Sequence, residues 1–377
     1  MRTSHVVLIS VLFSTSTVCF GAGPKQLAEL TASDGTASDN FGAAVAVSGK
    51  VVVVGALDAT VGGNPDEGAA YVFVKPGDGW SNMTQVAKLT PSVGFPYQYF
   101  GESVAMSGNT IVVGPYIFEK PEGGWKDMNE TVALNRCEGA VAIAGNTLVC
   151  GTDVFLRPKG GWVADQEPVA TLSEADPLKG DDFGGPVAIS GNTIVVGADA
   201  VGIAGIGAAY VFVKPAGGWT NMTETAKLTA SDGAGGDWFA SSLAIDGSFI
   251  VAGAPHHESE GAAYAFVEPS GGWTDMTQTA ELTIPYEAGY GFVGVSVAIN
   301  GSEALVGRPW GNDNLGGVYL YKKPKSGWVS TSGFNTQLVP TDGFSGDAFG
   351  IAVAVNAGTI VVGATKLPAS PGAAYVF

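Results

Sequence analysis

The segment AELTASDG at 28–35 returns as AKLTASDG at 226–233, and both are fragments of one unit that recurs along the chain. Long-period self-similarity constrains a fold more than any local pattern. A unit too small to bury its own apolar face must stack on copies of itself. The unit reads Phe-Gly, then V-A-I-S-G-N-T-I-V-V-G-A, then A-A-Y-V-F-V-K-P-x-G-G-W, then E-T-A-K-L-T. Its start falls at Phe41, Phe100, Phe183, Phe239 and Phe349, and in degenerate form near Cys137 and at Phe292, giving seven copies.

Each copy holds four short β-branched or aromatic runs bounded by Gly, Asn and Pro, which is strand punctuation. In the fourth copy they are 187–190, 193–196, 209–213 and 225–228. Ser-Gly, Asp-Gly or Asn-Gly separates the first two runs, as at Ser48-Gly49, Asp246-Gly247 and Asn300-Gly301, and suits a two-residue hairpin. Lys-Pro-x-Gly-Gly-Trp joins the last two, as at 214–219. Four-stranded antiparallel units repeated radially predict an all-β, seven-bladed β-propeller spanning 24–377. Alanine stands at the centre of every first run, at Ala46, Ala105, Ala142, Ala188, Ala244, Ala298 and Ala354. It suits strands converging on an axis, and equally any packed strand.

The chain stops after a third run, 373–377, while residues 26–30 form an orphan fourth run. Pairing them would complete the seventh blade and remove an exposed sheet edge. On that reading the array of repeats is whole.

The landmarks Phe41-Gly42, Phe100-Gly101, Phe183-Gly184 and Phe349-Gly350, with Gly253-Ala254-Pro255 intact and Gly55-Ala56, Gly197-Ala198 and Gly363-Ala364 in part, resemble the FG-GAP repeat family. That family is known from the heads of integrin α-subunits and from many secreted proteins. The resemblance implies a seven-bladed propeller and, by the integrin case, extracellular ligand binding. Integrin blades carry calcium in long first-to-second-strand loops. Here those loops are tight hairpins that cannot wrap six or more oxygen ligands, so that metal site is not carried over.

Met1-Arg2 followed by apolar 6–13 and small residues at 21–23 reads as a secretory signal peptide, residues 1–23. No later run reaches the roughly 20 apolar residues of a spanning helix. Asn82, Asn129 and Asn221 head N-x-Thr sequons at nearly one place in three repeats, so a secreted glycoprotein is expected. A net charge of −17 repels phosphate backbones and argues against nucleic acid as a partner. A monomer is expected.

In a propeller the second-to-third and fourth-to-first connections share one face, and here they hold the sequence variety. Recognition usually sits on such loops. Trp238 and Trp310 lie there outside the repeating Gly-Trp turn; Trp310 with Asn312, Asp313 and Asn314 has the makings of a sugar platform. A tryptophan packed between blades is the alternative. Loops missing from copies two and three predict a notch in the rim, with Tyr116 and Arg136 near its floor. It reads either as loop decay or as a docking groove.

Four aspartate pairs recur at a spacing of five: Asp34/Asp39, Asp176/Asp181, Asp232/Asp237 and Asp342/Asp347. They either cap turns, converge on calcium, or present an acidic rim. His256-His257 reads as exposed loop, since adjacent side chains diverge. Cys137 and Cys150 are expected to bridge in an oxidising compartment. If Ala144-Gly145 makes the turn, though, Gly139 faces Cys150 and the cysteines sit a diagonal 7–8 Å apart, slightly far without a bulge. The functional expectation is a non-catalytic module binding an extracellular protein or glycan. A polysaccharide-acting enzyme and a structural matrix component are the alternatives.

Overall fold

The computed structural model describes residues 23–176, 182–199, 206–285, 291–311, 315–365 and 370–377. Every regular element in them is β, arranged in seven sheets. Blade 1 shows the plan. Phe41–Ser48 lies innermost, followed outward by Val51–Ala56, Ala69–Val74 and Ala87–Thr90, each antiparallel to the last. Blade 4 repeats it with Val187–Ser190, Thr193–Ala198, Ala208–Val213 and Ala226–Thr229. The innermost strand of each blade contacts that of the next, and blade 7 returns to blade 1.

Blade 7 takes its outermost strand from the other end of the chain. Ala28–Thr31 pairs antiparallel with Ala373–Val376, with Ala28 opposite Val376 and Leu30 opposite Ala374. The seven hydrophobic clusters lie between adjacent blades. One joins Phe41, Tyr71 and Phe73 of blade 1 to Val361, Ala374 and Val376 of blade 7, all buried. No blade buries its apolar faces alone, so closure completes the core as well as the sheet.

The Phe-Gly and Gly-Ala landmarks meet between neighbouring blades. A Cβ on Gly55 would stand 1.9 Å from the carbonyl oxygen of Gly101, which itself has φ +102°. Gly363 meets Gly42 of blade 1 in the same way, again at 1.9 Å. Backbone touches backbone there, so one glycine is set by space and the other also by a left-handed φ. The phenylalanine preceding the second glycine fills the inter-blade core.

Two features depart from the sequence reading. The first hairpin turns one residue later than expected: Ser48 pairs with Val51 and Ala144 with Thr147, so the loop residues are Gly49-Lys50 and Gly145-Asn146. Glycine at the first loop position with φ near +58° fits a type II′ turn. Secondly, the residues after the Gly-Trp turn form a clasp between blades. Met83–Thr84 adds in parallel to Leu30–Thr31, and Met222–Thr223 to Leu172–Ser173.

The clasp explains the sequons. Asn82 Oδ1 accepts the Glu29 N–H at 2.9 Å, and Asn221 Oδ1 accepts that of Thr171 at 2.9 Å. Asp127 and Asp275 take the same part in other blades, at 2.7 and 2.8 Å. Asn129 stands two residues further on and is not equivalent. Its Nδ2 donates to Thr90 O, Thr90 Oγ1 and Pro91 O at 3.1, 3.2 and 3.1 Å.

Candidate binding hollow on the loop-rich face

In six blades the residue just before the first landmark adopts a left-handed conformation without being glycine: Asn40, Tyr99, Asp182, Trp238, Phe292 and Ala348, with φ between +48° and +55°. Such φ values are uncommon for these residue types. Their recurrence shows that the ring geometry imposes them. The same frame corrects the sixth repeat. Val293, fully buried and bridged to Gly261 as Phe100 is to Gly68, occupies the phenylalanine position. Phe292 is therefore not the degenerate landmark but the counterpart of Trp238.

The residue after Gly-x-Pro is the second variable position on this face: His256 in blade 5 and Trp310 in blade 6. The two positions alternate around the ring, and in these blades all four are aromatic. Trp238 and His256 have ring centroids 4.0 Å apart, His256 and Phe292 4.9 Å, and Phe292 and Trp310 5.2 Å, tilted at 56°, 79° and 78°. Edge-to-face packing of this kind fixes each ring against the next. The row lines a hollow of about 820 Å³, completed by Asp199, Ser241, Pro255 and Val295. Its ends stay in solvent, Trp238 being 47 % and Trp310 43 % exposed. In blade 1 the matching positions are polar, and Asn40 Nδ2 donates to the Asp58 carboxylate.

A buried ion pair supports the row from below. Arg308 is 2 % exposed and its Nη2 donates to Glu260 Oε2 at 2.9 Å. A Cβ at Gly291 would stand 2.2 Å from Arg308 Nε, and one at Gly311 2.3 Å from Nη1. The backbone beside Phe292 and Trp310 thus packs directly on the guanidinium. At the far wall, burial and the charge of Asp182 hold the Asp199 carboxyl above its usual range.

Asp199 and Ser241 also border a second hollow, of about 740 Å³, above blades 2 to 4. Tyr116 lines it, with its ring 5.5 Å from that of Phe100 and its hydroxyl accepting from Gln98 Nε2 at 2.6 Å. Burial raises the Tyr116 phenol. Arg136 does not join Tyr116 on a common floor. It lies exposed beside a separate, smaller hollow, paired with Glu167 at 3.0 Å. The second-to-third connections of blades 2 and 3 are the tight hairpins Val113–Tyr116 and Cys150–Asp153, as short as the sequence expects.

Cys137 and Cys150 are joined by a disulfide, with Cα atoms 5.2 Å apart. Val141, not Gly139, faces Cys150, because the hairpin turns at Gly145-Asn146. The Gly151 N–H still donates to Ala140 O at 2.9 Å, and Gly139, with φ +95°, bends the chain there before it reaches Cys137.

In the three aspartate pairs whose members are both described, the two carboxylates make different hydrogen bonds. Asp39, Asp237 and Asp347 are buried, and each accepts the backbone N–H three residues earlier, at 2.8, 2.7 and 2.7 Å. Their partners turn to the third and fourth strands: Asp34 binds Lys88 at 2.5 Å beside Tyr71, and Asp232 accepts the Tyr264 hydroxyl at 3.1 Å. Burial, and then the charge of Asp342 beside it, raises the Tyr375 phenol. Asp181, Asn312, Asp313 and Asn314 lie outside the described residues, so the pair Asp176/Asp181 and the amide side of the Trp310 platform have no structural account.

His256 and His257 diverge as adjacent residues must, but the loop is not simply exposed. His257 is 7 % exposed, its Nδ1 2.8 Å from Asp237 Oδ2 and its Nε2 4.0 Å from Glu281 Oε1. Burial, and then the charge of Asp232, hold Glu281 above the usual carboxylate range.

Sequence reading missed Phe292, His256, Asp199 and Ser241. A signal for Phe292 existed: Val293-Gly294 fits the Phe-Gly frame, and Gly294 carries the landmark φ of +94°. Among the described residues no helix is long and apolar enough to cross a membrane, which says nothing of strands. A comparison with curated proteins returns no match. The FG-GAP repeat profile matches residues 24–73, 83–124, 167–212, 222–266 and 333–377. The two longer stretches between them, 125–166 and 267–332, hold the disulfide and half of the aromatic row. With more than half of its length matched and seven blades closed head to tail, the chain belongs to the FG-GAP repeat family.

Proposed function

We propose that this propeller is a secreted binding module whose ligand is a glycan, seated on the row Trp238, His256, Phe292 and Trp310. The observation that carries the reading is that aromatic row. Two copies of the repeat converge on aromatic side chains where blade 1 keeps a hydrogen-bonded Asn40–Asp58 pair. Sugar rings offer apolar faces to such platforms and hydroxyls to groups such as Asp199 and Ser241. Ring-to-ring packing pre-organises the platform, so little side-chain entropy is lost on binding. Concave, largely apolar hollows with a few polar groups are the usual form of a small-ligand site.

Secretion is supported by the apolar leader at 6–13 and by the Cys137–Cys150 bridge, which suits an oxidising compartment. The test is a glycan array probed with the full chain, beside an array of apolar and aromatic peptides. Trp238→Ala and Trp310→Ala should each weaken glycan binding by about 10- to 100-fold, some 1.4–2.8 kcal/mol. Binding confined to the peptides, or glycan binding indifferent to both substitutions, would refute the glycan reading.

A further inference from the structure

The most unusual chemistry outside the hollow lies one residue away from it. Asp232, His257 and Glu281 each bring one ligand atom to a cluster in which all three atoms lie within 4.8 Å of one another. We propose that these residues form a divalent cation site of the zinc type, with Asp237 as the group that orients the imidazole.

Three observations carry it. First, the imidazole is buried and aimed. Asp237 Oδ2, which also accepts the Ala234 N–H at 2.7 Å, takes the hydrogen of His257 Nδ1 at 2.8 Å. That leaves Nε2 turned toward two carboxylates, without a hydrogen-bond partner among the described residues. A carboxylate behind a histidine is the usual way a metal-binding imidazole is held in one tautomer.

Second, the chain contains its own control. In blade 1 the residue opposite Tyr71 is Lys88, and its ammonium reaches Asp34 at 2.5 Å. In blade 4 the residue opposite Tyr210 is again a lysine, Lys227. In blade 5 the residue opposite Tyr264 is Glu281. The lysine that answers the aspartate is gone, a second carboxylate stands in its place, and a histidine has entered. Blade 7 also has a glutamate there, Glu29 opposite Tyr375, but no imidazole among the described residues, so the proposal is confined to blade 5.

Third, the donor set selects the ion. One imidazole nitrogen and two carboxylate oxygens suit zinc and its neighbours at metal–ligand distances of about 2.0–2.2 Å, leaving a position open for water. Calcium prefers six to eight oxygens, which this cluster does not offer. Closing the three atoms onto an ion needs a movement of about 1 Å, within the freedom of an exposed Asp232 and a half-buried Glu281.

The test is isothermal titration of the full chain with Zn²⁺, and separately Ca²⁺, in a non-coordinating buffer at neutral pH. One Zn²⁺ per chain should bind saturably, and at least 100-fold more tightly than Ca²⁺. Glu281→Lys, which rebuilds the blade 1 arrangement, should abolish that binding while keeping the parent's melting temperature measured without metal. His257→Gln should cost at least 100-fold, and Asp237→Asn about 10- to 100-fold by loosening the ring. Should Glu281→Lys fail to fold, Glu281→Gln provides the same comparison. No saturable Zn²⁺ uptake by the parent, equal affinity for Ca²⁺, or unchanged Zn²⁺ affinity in folded Glu281 and His257 variants would overturn the proposal. None of these readouts depends on the glycan reading.

Discussion

Replacing Arg308 by leucine should be among the most damaging single substitutions on the loop-rich face. Arg308 is 2 % exposed and Glu260, its partner at 2.9 Å, has a side chain 12 % exposed. Leucine keeps part of the apolar stem but leaves the Glu260 carboxylate buried without the guanidinium charge. Breaking a buried pair from one side costs about 3–5 kcal/mol, whereas replacing both partners with apolar groups is often near neutral. Arg308→Leu should therefore lower the unfolding free energy by about 3–5 kcal/mol in urea, and Arg308→Leu/Glu260→Leu should recover most of that loss. The slope of the urea transition should not change, since the surface exposed on unfolding is nearly the same. In the single variant the backbone at Gly291 and Gly311 loses its support, so Phe292 and Trp310 should also move. A single variant within about 0.5 kcal/mol of the parent, or a double variant no better than the single, would refute the argument.

Other consequences follow from the same geometry. The disulfide closes a separation of 13 residues, and chain-entropy reasoning gives it about 3 kcal/mol; Cys137→Ala/Cys150→Ala should lower the urea midpoint, and added reductant should then have no further effect. Burial works against the Asp34 carboxylate, but the hydrogen bond and charge of Lys88 outweigh it and hold the group below its usual value of 3.8. Its stabilisation is therefore present above pH 3.8 and lost as pH falls through the lowered value, and Lys88→Met should flatten that acid limb of the stability curve. Asp199 has the opposite sign, being raised by burial and Asp182 from 3.8, so the folded state loses stability as pH rises from 3.8 through the raised value. Asp199→Asn should be more stable than the parent at neutral pH and equal to it below pH 3.8. Glycopeptide mass spectrometry of chain from a eukaryotic secretory host should find Asn82 and Asn221 occupied and Asn129 bare, because only the Asn129 Nδ2 is committed to three carbonyl and hydroxyl acceptors. Full occupancy at Asn129 with an unchanged melting temperature would contradict this.

The ring was legible in the sequence because its constraints are local and repeated. Strand length, the glycine landmarks and the orphan run near residue 28 each recur or complement one another along the chain. What the sequence hid depends on pairing. Placing the hairpin turn one residue early at Gly145 shifts the register by two and hides how Cys137 reaches Cys150. Aligning Phe292 as the landmark conceals that the buried position is Val293. The aspartate pairs were legible by halves. Capping of the chain's own loop, one of the readings that the sequence offers, holds for Asp39, Asp237 and Asp347, but a spacing of five gives no sign that Asp34 and Asp232 cross to a lysine or tyrosine of the fourth and third strands. His257 is legible only in three dimensions, since Asp232 and Glu281 come from segments far from it in the chain.

Indole N–H resonances give the most direct test of the hollow as the binding surface. Of eight tryptophans, Trp80, Trp125, Trp162, Trp219, Trp273 and Trp328 are buried in repeating turns, and only Trp238 and Trp310 face solvent. Titrating a glycan that the array selects into labelled protein should shift the signals of Trp238 and Trp310 and leave the other six in place. Saturable binding that leaves both of those signals unmoved would contradict the account.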